Sequence, residues 1–596
     1  MCGYVGKFSV NNFYNEEVYQ ANKFNVCRGP DDLQVLNGNH NKVNYSLVFN
    51  RLSILDLTEK AAQPMKDSFG NIIMFNGEIY NHKELRNYLE SMHVNFTSNH
   101  SDTETLLHGL RLLGTDFLKM LIGQFSISYL SKKDNTLTLI RDRIGQKPLF
   151  YYKNNQDLIV STNLKTLLKL KKDYYIREDS LEEYFDTGVI SAPNTLFKEV
   201  YKVQPGEVIT ISLEENYKDK RNKYWKLDDI KESDKKPFIY EEFKDLFIDS
   251  VKIRQEADVE VANLLSGGVD STSILKIAQE HTSNNKLNTF SITNKGTKYD
   301  ESKWIDDVIE KYDIQHKKVN IDVNSIQLET IHDSIKAFDE PYSDPSTVPS
   351  YIIYKEISKY YKVAVSGDGG DELLGGYERV LKTLKRSGNK NKYSKIYPAF
   401  LGSGNRLSIS QKSLTNSYLS FYKDPKFMNL LNLQSHNLEE KFINNKDSEY
   451  LSMIRFDYNY YLPEMMMLKV DRASMANSLE VRSPLVDHRL IEYMTTSDFK
   501  IRNKEDQKAP LKKLLSQDFT DKFISRKKMG FVFDLRKWVY GNNQHLSDFF
   551  KFEGNIINNL NPSILKTLSI NKSDMNAQRI WRIYFIEKYL NSLKNL

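Results

Sequence analysis

The sequence predicts an α/β protein in two parts, a strand-rich N-terminal portion followed by an α/β portion on a parallel sheet. Strands dominate to about Ile211, with a turn at Pro205-Gly206-Glu207. Beyond a charged stretch, helical and strand-like segments alternate, the pattern of βαβ units. Within that second portion, the short apolar run Val259-Glu260-Val261-Ala262 leads through Ser266-Gly267-Gly268-Val269-Asp270-Ser271 into the helical segment Thr272 to Ala278.

Composition narrows the function classes. At 596 residues the length suits a few domains. The patterning divides the chain into 1–212, a linker at 213–236, and 237–596. With 40% hydrophobic and 12% aromatic residues the chain can fill packed cores, which excludes a disordered protein. A net charge of +6 is spread over 84 basic and 78 acidic side chains, a solvated surface rather than a nucleic-acid footprint. No apolar run approaches the roughly 18 residues of a membrane span, and the N-terminus lacks a basic segment followed by an apolar one. A cytoplasmic location is therefore expected. Cys2 and Cys27 are too few for a disulfide framework or a Cys-rich zinc site.

The N-terminal portion begins Met1-Cys2-Gly3. Removal of Met1 gives one residue both a thiol and an α-amine titrating near 8, so the amine can serve as the thiol's own base. Arg28-Gly29-Pro30-Asp31-Asp32 is a charged turn. Asn50-Arg51-Leu52-Ser53-Ile54-Leu55-Asp56 alternates like a strand carrying an arginine. Phe75-Asn76-Gly77-Glu78 ends a strand at an Asn-Gly turn signal. Ser101-Asp102-Thr103-Glu104 has the form of a helix N-cap box. Singly, each has an ordinary structural reading.

Together, behind Cys2, these motifs resemble the N-terminal-nucleophile glutaminase domain of glutamine amidotransferases, which implies an αββα sandwich. The resemblance makes Cys2 the nucleophile. It assigns glutamine binding to Arg51, Ile54, Asn76, Gly77, Glu78 and Asp102. Arg51 would clamp the α-carboxylate with its planar fork of donors. Asp102 and Glu78, with the Gly77 backbone, would hold the α-ammonium. The Asn76 amide and Gly77 N–H would form the oxyanion hole. Arg141-Asp142-Arg143-Ile144-Gly145-Gln146-Lys147-Pro148-Leu149-Phe150-Tyr151 also matches and reads as structural, at the domain interface. Relatives usually carry His before Arg-Gly-Pro-Asp, where this chain has Cys27.

In the second portion, a strand, two glycines and a hydroxyl-rich helix start form an anion cradle at Ser266 to Ser271. Asp270 inside that cradle calls for a bridging Mg²⁺. Lys286 to Ile292 reads as the next strand, and Tyr299-Asp300-Glu301-Ser302 opens a helix. Glu340-Pro341-Tyr342-Ser343-Asp344-Pro345-Ser346 must be a loop. Val363-Ala364-Val365 runs into Ser366-Gly367-Asp368-Gly369-Gly370-Asp371-Glu372. Ligands of open parallel sheets bind outside the carboxyl ends of the strands, so both loops are expected on one crevice, with Asp270 and Asp371 sharing Mg²⁺ on pyrophosphate. Leu468 to Met475 and Leu479 to Pro484 read as helical stretches followed by a turn. Met465, Met466 and Met467 read as core. The last signal is Ser525-Arg526-Lys527-Lys528-Met529-Gly530-Phe531.

The Ser-Gly-Gly-Val-Asp-Ser string resembles the loop of ATP pyrophosphatases and lacks the lysine of the kinase phosphate loop. Read in order with Cys2, Ser-Gly-Asp-Gly-Gly-Asp-Glu and Arg-Lys-Lys-Met-Gly-Phe, it makes the chain resemble the glutamine-hydrolysing asparagine synthetases of the bacterial B type. The resemblance implies a second domain of the adenine nucleotide α-hydrolase kind. It places ATP on Leu264, Ser266, Gly267, Gly268, Asp270, Ser271, Ile292, Ser366 and Gly367. Lys528 would neutralise the α-phosphate. Asp368 stands where several relatives carry Glu, an acid tied to adenylate formation or ammonia deprotonation.

Glutamine hydrolysis at Cys2 would supply ammonia to a carboxylate activated as its AMP ester, through a closed apolar passage between domains. Glutamine, ATP and aspartate are the implied substrates, with a uronic acid as the alternative acceptor. The family's members are often homodimers. Transfer-RNA thiolases share the loop but need cysteines near it, and none follows Cys27. GMP synthetase pairs a similar ATP domain with a glutaminase using a mid-chain Cys and His, which this chain lacks.

Overall fold

The computed structural model describes residues 2–214, 216–230, 234–281, 286–294, 300–322, 326–386, 414–438, 449–526, 533–541, 562–594 and 596. Two six-stranded antiparallel sheets face each other in the N-terminal portion. The first runs, in spatial order, Val200–Lys202, Phe150–Lys153, Asp157–Ser161, Cys2–Ser9, Val43–Arg51, Asp32–His40. The second runs Asp219–Lys223, Glu207–Ser212, Thr136–Arg141, Gly123–Ser131, Ile72–Ile79, Met65–Lys66.

Strand periodicity explains the layering. Alternate residues of a strand point to opposite faces, so a strand buried on both must be apolar on both. Tyr4 and Phe8 join Phe49, Met74, Leu139 and Ile209 in the core between the sheets. Val5 and Val48 face the other way, onto the helices Asn15–Ala21 and Leu164–Lys171. Ile73 and Phe75 pack on the helices His82–Ser91 and Asp102–Leu113. Helices thus cover both outer faces, the αββα arrangement.

Three local readings are corrected. The charged stretch expected to be all linker contributes the strand Asp219–Lys223, paired with Glu207–Ser212. It is an edge strand, with one neighbour and a mostly exposed face, so polar side chains suit it. The Asn50 to Asp56 segment is a strand only through Arg51. Leu479 to Pro484 is not helical; Glu480–Arg482 is a strand parallel to Val363–Val365. Its charges pair with each other inside the protein, Arg482 Nε to Glu480 Oε1 at 2.6 Å.

The second portion carries a five-stranded parallel sheet in the order Ile314–Asn320, Leu287–Thr293, Val261–Leu264, Val363–Val365, Glu480–Arg482. The chain leaves Val261–Leu264 toward one edge, then returns to its other side at Val363–Val365. This reversal of strand order opens a crevice beyond the carboxyl ends of those two strands.

The two portions share buried contacts. Leu52 and Ile54 of the first pack with Val363 and Met475 of the second. Arg28 forms a two-bonded pair with Asp471 at 2.9 and 3.0 Å. Among the described residues no helix is long and apolar enough to cross a membrane.

Candidate active sites

Cys2 starts a central strand, opposite Arg51 in register, and is buried. Its backbone nitrogen donates to Asn76 Oδ1 at 3.0 Å, while Asn76 Nδ2 donates to Ser126 Oγ at 3.3 Å. Asn76 therefore turns its carbonyl, not its amide donor, toward the nitrogen of Cys2. Gly77 must lack a side chain, because a Cβ there would lie 2.0 Å from the Gln124 carbonyl oxygen. Burial pushes the Cys2 thiol up, while the Leu52 N–H and Arg51 pull it down.

Arg51 forks onto backbone carbonyls, donating to Thr58 at 2.9 Å, to Leu55 at 3.4 Å and to Asp56. Glu78 pairs with Arg482 of the parallel sheet at 3.2 Å. Asp102 accepts from the Ile79 N–H at 3.2 Å. Burial pushes both carboxyls up, with Arg482 opposing at Glu78 and His82 at Asp102. Ile54 buries its side chain between the two portions, and its carbonyl accepts the Asp258 N–H at 3.0 Å. Cys27 is exposed, whereas Cys2 is buried. The Arg141 to Tyr151 motif is structural in its contacts: Arg141 holds the carbonyls of Lys147, Val203 and Gly145, and Asp142 accepts several backbone N–H groups.

Across the second crevice, the loops after Val261–Leu264 and Val363–Val365 meet. A Cβ on Gly370 would stand 2.7 Å from Asp270 Oδ1. Leu264, Ser266, Asp270, Ser271, Ile292, Ser366, Gly367, Asp368 and Asp371 line one cavity of about 350 Å³. Gly267, at φ +65, makes the turn between strand and helix. Gly268 lines an adjoining cavity of about 380 Å³ whose lining includes Lys382, Lys385, Lys504, Lys508, Lys512 and Arg526. Within the cradle, hydroxyls occupy the loop donors: Ser266 N reaches Ser271 Oγ at 3.2 Å and Gly268 N reaches Ser266 Oγ at 3.3 Å. Asp368 accepts from Ser366 Oγ at 2.9 Å.

Sequence reasoning missed Lys508. Its ammonium bridges the two carboxylates assigned to Mg²⁺, Asp371 at 2.7 Å and Asp270. Nothing in Gln507-Lys508-Ala509-Pro510 marks it beyond a lysine ahead of a helix. Arg482 and the Arg28–Asp471 pair were missed too, since only the fold brings those elements together. Lys528 and Tyr299 lie outside the described residues.

The comparisons with known proteins divide the chain similarly. A glutamine amidotransferase domain model matches residues 1–225, and an asparagine synthase model matches residues 242–551. A Methanocaldococcus jannaschii protein provisionally named a glutamine-hydrolyzing asparagine synthetase is 34% identical over 441 residues, 70% of this chain and 83% of that protein. Asparagine synthetase (glutamine-hydrolyzing) 1 of Bacillus subtilis is 29% identical over 569 residues, 90% of this chain and 88% of its own length.

Proposed function

The chain belongs to the asparagine synthase family, and from that premise we propose that it moves the amide nitrogen of glutamine onto the side-chain carboxylate of aspartate, cleaving ATP to AMP and pyrophosphate. The observation that carries this reading is one short helix touching both sites. Leu468–Met475 is eight residues long, roughly 12 Å at 1.5 Å per residue. Lys469 lines the ATP cavity, Asp471 grips Arg28, and Arg28 Nε donates to the Cys2 carbonyl at 3.2 Å.

At the first site, removal of Met1 turns the nitrogen already held by Asn76 Oδ1 into an α-amine. That amine takes the thiol proton, and the Cys2 sulfur attacks the glutamine amide carbon. Gly77 N–H and the Asn76 amide, released from Ser126, receive the oxyanion. Glu78 and Asp102 take the substrate ammonium, and Arg51 its carboxylate. Ammonia departs, and water hydrolyses the thioester to glutamate. Free ammonia in water would be protonated and lose its nucleophilicity. A dry route between the sites is therefore needed, and the apolar contact of Leu52, Ile54, Val363 and Met475 shows that the two portions meet partly through apolar surface.

At the second site the acceptor carboxylate attacks the α-phosphorus and pyrophosphate leaves. Ammonia then attacks the acyl carbon and AMP leaves. The Ser266 to Ser271 loop cradles the phosphates, Lys528 offsets charge at the α-phosphate, and Asp368 stands beside the acyl centre. Asp270 and Asp371 would hold Mg²⁺: they converge on one cation, and Asp270 Oδ1 is buried without a hydrogen-bond partner among the described residues. Those residues contain no group of three or more metal-ligating side chains, so phosphate oxygens would complete the shell. Bound there, the ion would offset the charge of the departing pyrophosphate.

The cavity also carries six acids, Asp270, Glu301, Asp344, Asp368, Asp371 and Glu372, which suits an acceptor bearing an ammonium. Purified protein with Mg-ATP and glutamine tests the reading: pyrophosphate release that requires aspartate supports it, and release only with a uronic acid overturns it.

A further inference from the structure

Lys469 is the one cation among the described residues lining the cavity that holds Ser366 and Asp368. It is 7% exposed. Its ammonium donates to Ser346 Oγ at 3.2 Å and sits 4.0 Å from Met466 Sδ. Among the described residues no carboxylate pairs with it. Two other buried lysines are matched: Lys202 has Glu340 at 2.9 Å, and Lys147 has Asp471 at 3.7 Å. An ammonium taken out of water without a counter-ion is costly, and the cost is recovered when an anion arrives.

The anion's place is built. Ser346 is also 7% exposed, and because its oxygen accepts from Lys469, its own proton is free for a ligand oxygen. Ser346 begins the helix Thr347–Ile357, whose N-terminal end favours negative charge. The other charged side chains around the cavity are all acids. A ligand carboxylate therefore has one favourable end, and a ligand ammonium has the remainder.

We propose that Lys469 and Ser346 form a subsite for a second, non-reacting carboxylate of the acceptor, so that the enzyme selects an amino dicarboxylic acid over a monocarboxylate such as a uronic acid. The subsite rests on the amidation reading above and deepens it. Adenylation consumes the charge of one carboxylate, so a monocarboxylate would leave Lys469 uncompensated at the step that most needs a fixed acceptor. A dicarboxylate keeps one anion on the subsite while the other reacts.

β-Alanine is aspartate without its α-carboxylate, and it provides the test. Initial rates of pyrophosphate release with Mg-ATP and ammonium give kcat/KM for aspartate and β-alanine in the wild type, Lys469→Met and Lys469→Arg. The wild type is expected to favour aspartate by about 100-fold, the worth of a buried charged hydrogen bond. In Lys469→Met that ratio should fall to within about 5-fold, and Lys469→Arg should restore most of it. The ratio is internal to each preparation, so partial unfolding does not alter it. A Lys469→Met protein that keeps the wild-type ratio overturns the subsite while leaving the amidation reading intact. A wild-type protein that forms pyrophosphate with no amino dicarboxylate overturns both.

Discussion

Around Cys2 the charged side chains already have partners inside the protein. Glu78 has Arg482, Arg28 has Asp471, and Arg51 rests on carbonyl oxygens. Around Asp270 the matching is incomplete. Six acids line the cavity with Lys469 alone among described cations, and Lys508 spans Asp270 and Asp371. In the first arrangement the α-ammonium and α-carboxylate of glutamine would exchange with partners already in place at Glu78 and Arg51. The second suits ligands that bring their own ions, because phosphates, metal and ammonium complete its charge pattern. Two sites in one chain are thus preorganised to different degrees, and the helix Leu468–Met475 joins them.

Removing the nucleophile should separate the sites most sharply. Cys2→Ala is expected to lower glutamine-driven synthesis by about 10⁴-fold while ammonium-driven synthesis stays within about 2-fold, compared by pyrophosphate release with each nitrogen source. An equal loss with both sources would mean that Cys2 serves the second site as well.

Breaking the joint between them comes next. Asp471 is fully buried, and although burial pushes its carboxyl up, Arg28, Lys147 and Arg472 hold it far below the ordinary range. Asp471→Asn should destabilise the fold by about 3–5 kcal/mol, read from denaturant midpoints, because buried Arg28 and Lys147 lose their anion while Arg472 keeps only Asp339. Since the folded pKa is depressed, this stabilisation is full above the ordinary carboxyl range and fades as pH falls toward the folded value. The variant should therefore differ from wild type less at pH 3 than at pH 7.

A smaller effect tests the incomplete site alone. Asp270→Asn should cut pyrophosphate release by about 100-fold, close to 2.7 kcal/mol of barrier, and raise the Mg²⁺ concentration needed for half-maximal rate. Glutaminase activity, measured as glutamate release, should hold within about 2-fold, because the sites share no side chain at Asp270.

A last effect, on stability rather than rate, concerns Glu372, which burial pushes up to about 7 against the hydrogen bond from Tyr377. A buried acid with a raised pKa binds its proton more tightly when folded, so stability falls as pH rises from the ordinary carboxyl range to about 7. Glu372→Gln should remove up to about 3 kcal/mol of that decline, seen as urea midpoints that change less between pH 5 and pH 8. An unchanged decline would assign it to other groups.

Much of this was legible in sequence because both sites are built from short local motifs. The loop at Ser266 to Ser271 and that at Ser366 to Asp371 each follow a strand, and the rule for parallel sheets brings them together without knowledge of the packing. Cys2, Asn76 and Gly77 were brought together only by the resemblance to the glutaminase domain, since their contact joins strands 74 residues apart in the chain. What escaped depends on distant segments meeting. Glu480 and Arg482 read as helical in the sequence, yet they form a buried strand in which Arg482 reaches Glu78, about 400 residues earlier in the chain. Asp219–Lys223 looked like linker because an edge strand needs hydrogen-bonding backbone on one side and little apolar surface. Lys508 and Lys469 are single lysines whose neighbours in sequence say nothing of the carboxylates, or their absence, around them.

The central claim is that glutamine nitrogen reaches a carboxylate activated as its AMP ester. The most direct measurement is phosphorus NMR of a reaction containing the protein, Mg-ATP, glutamine and aspartate. AMP and pyrophosphate accumulating in equal amounts, matched by asparagine and glutamate, is the predicted result. ADP and inorganic phosphate in their place, with no AMP, would contradict it.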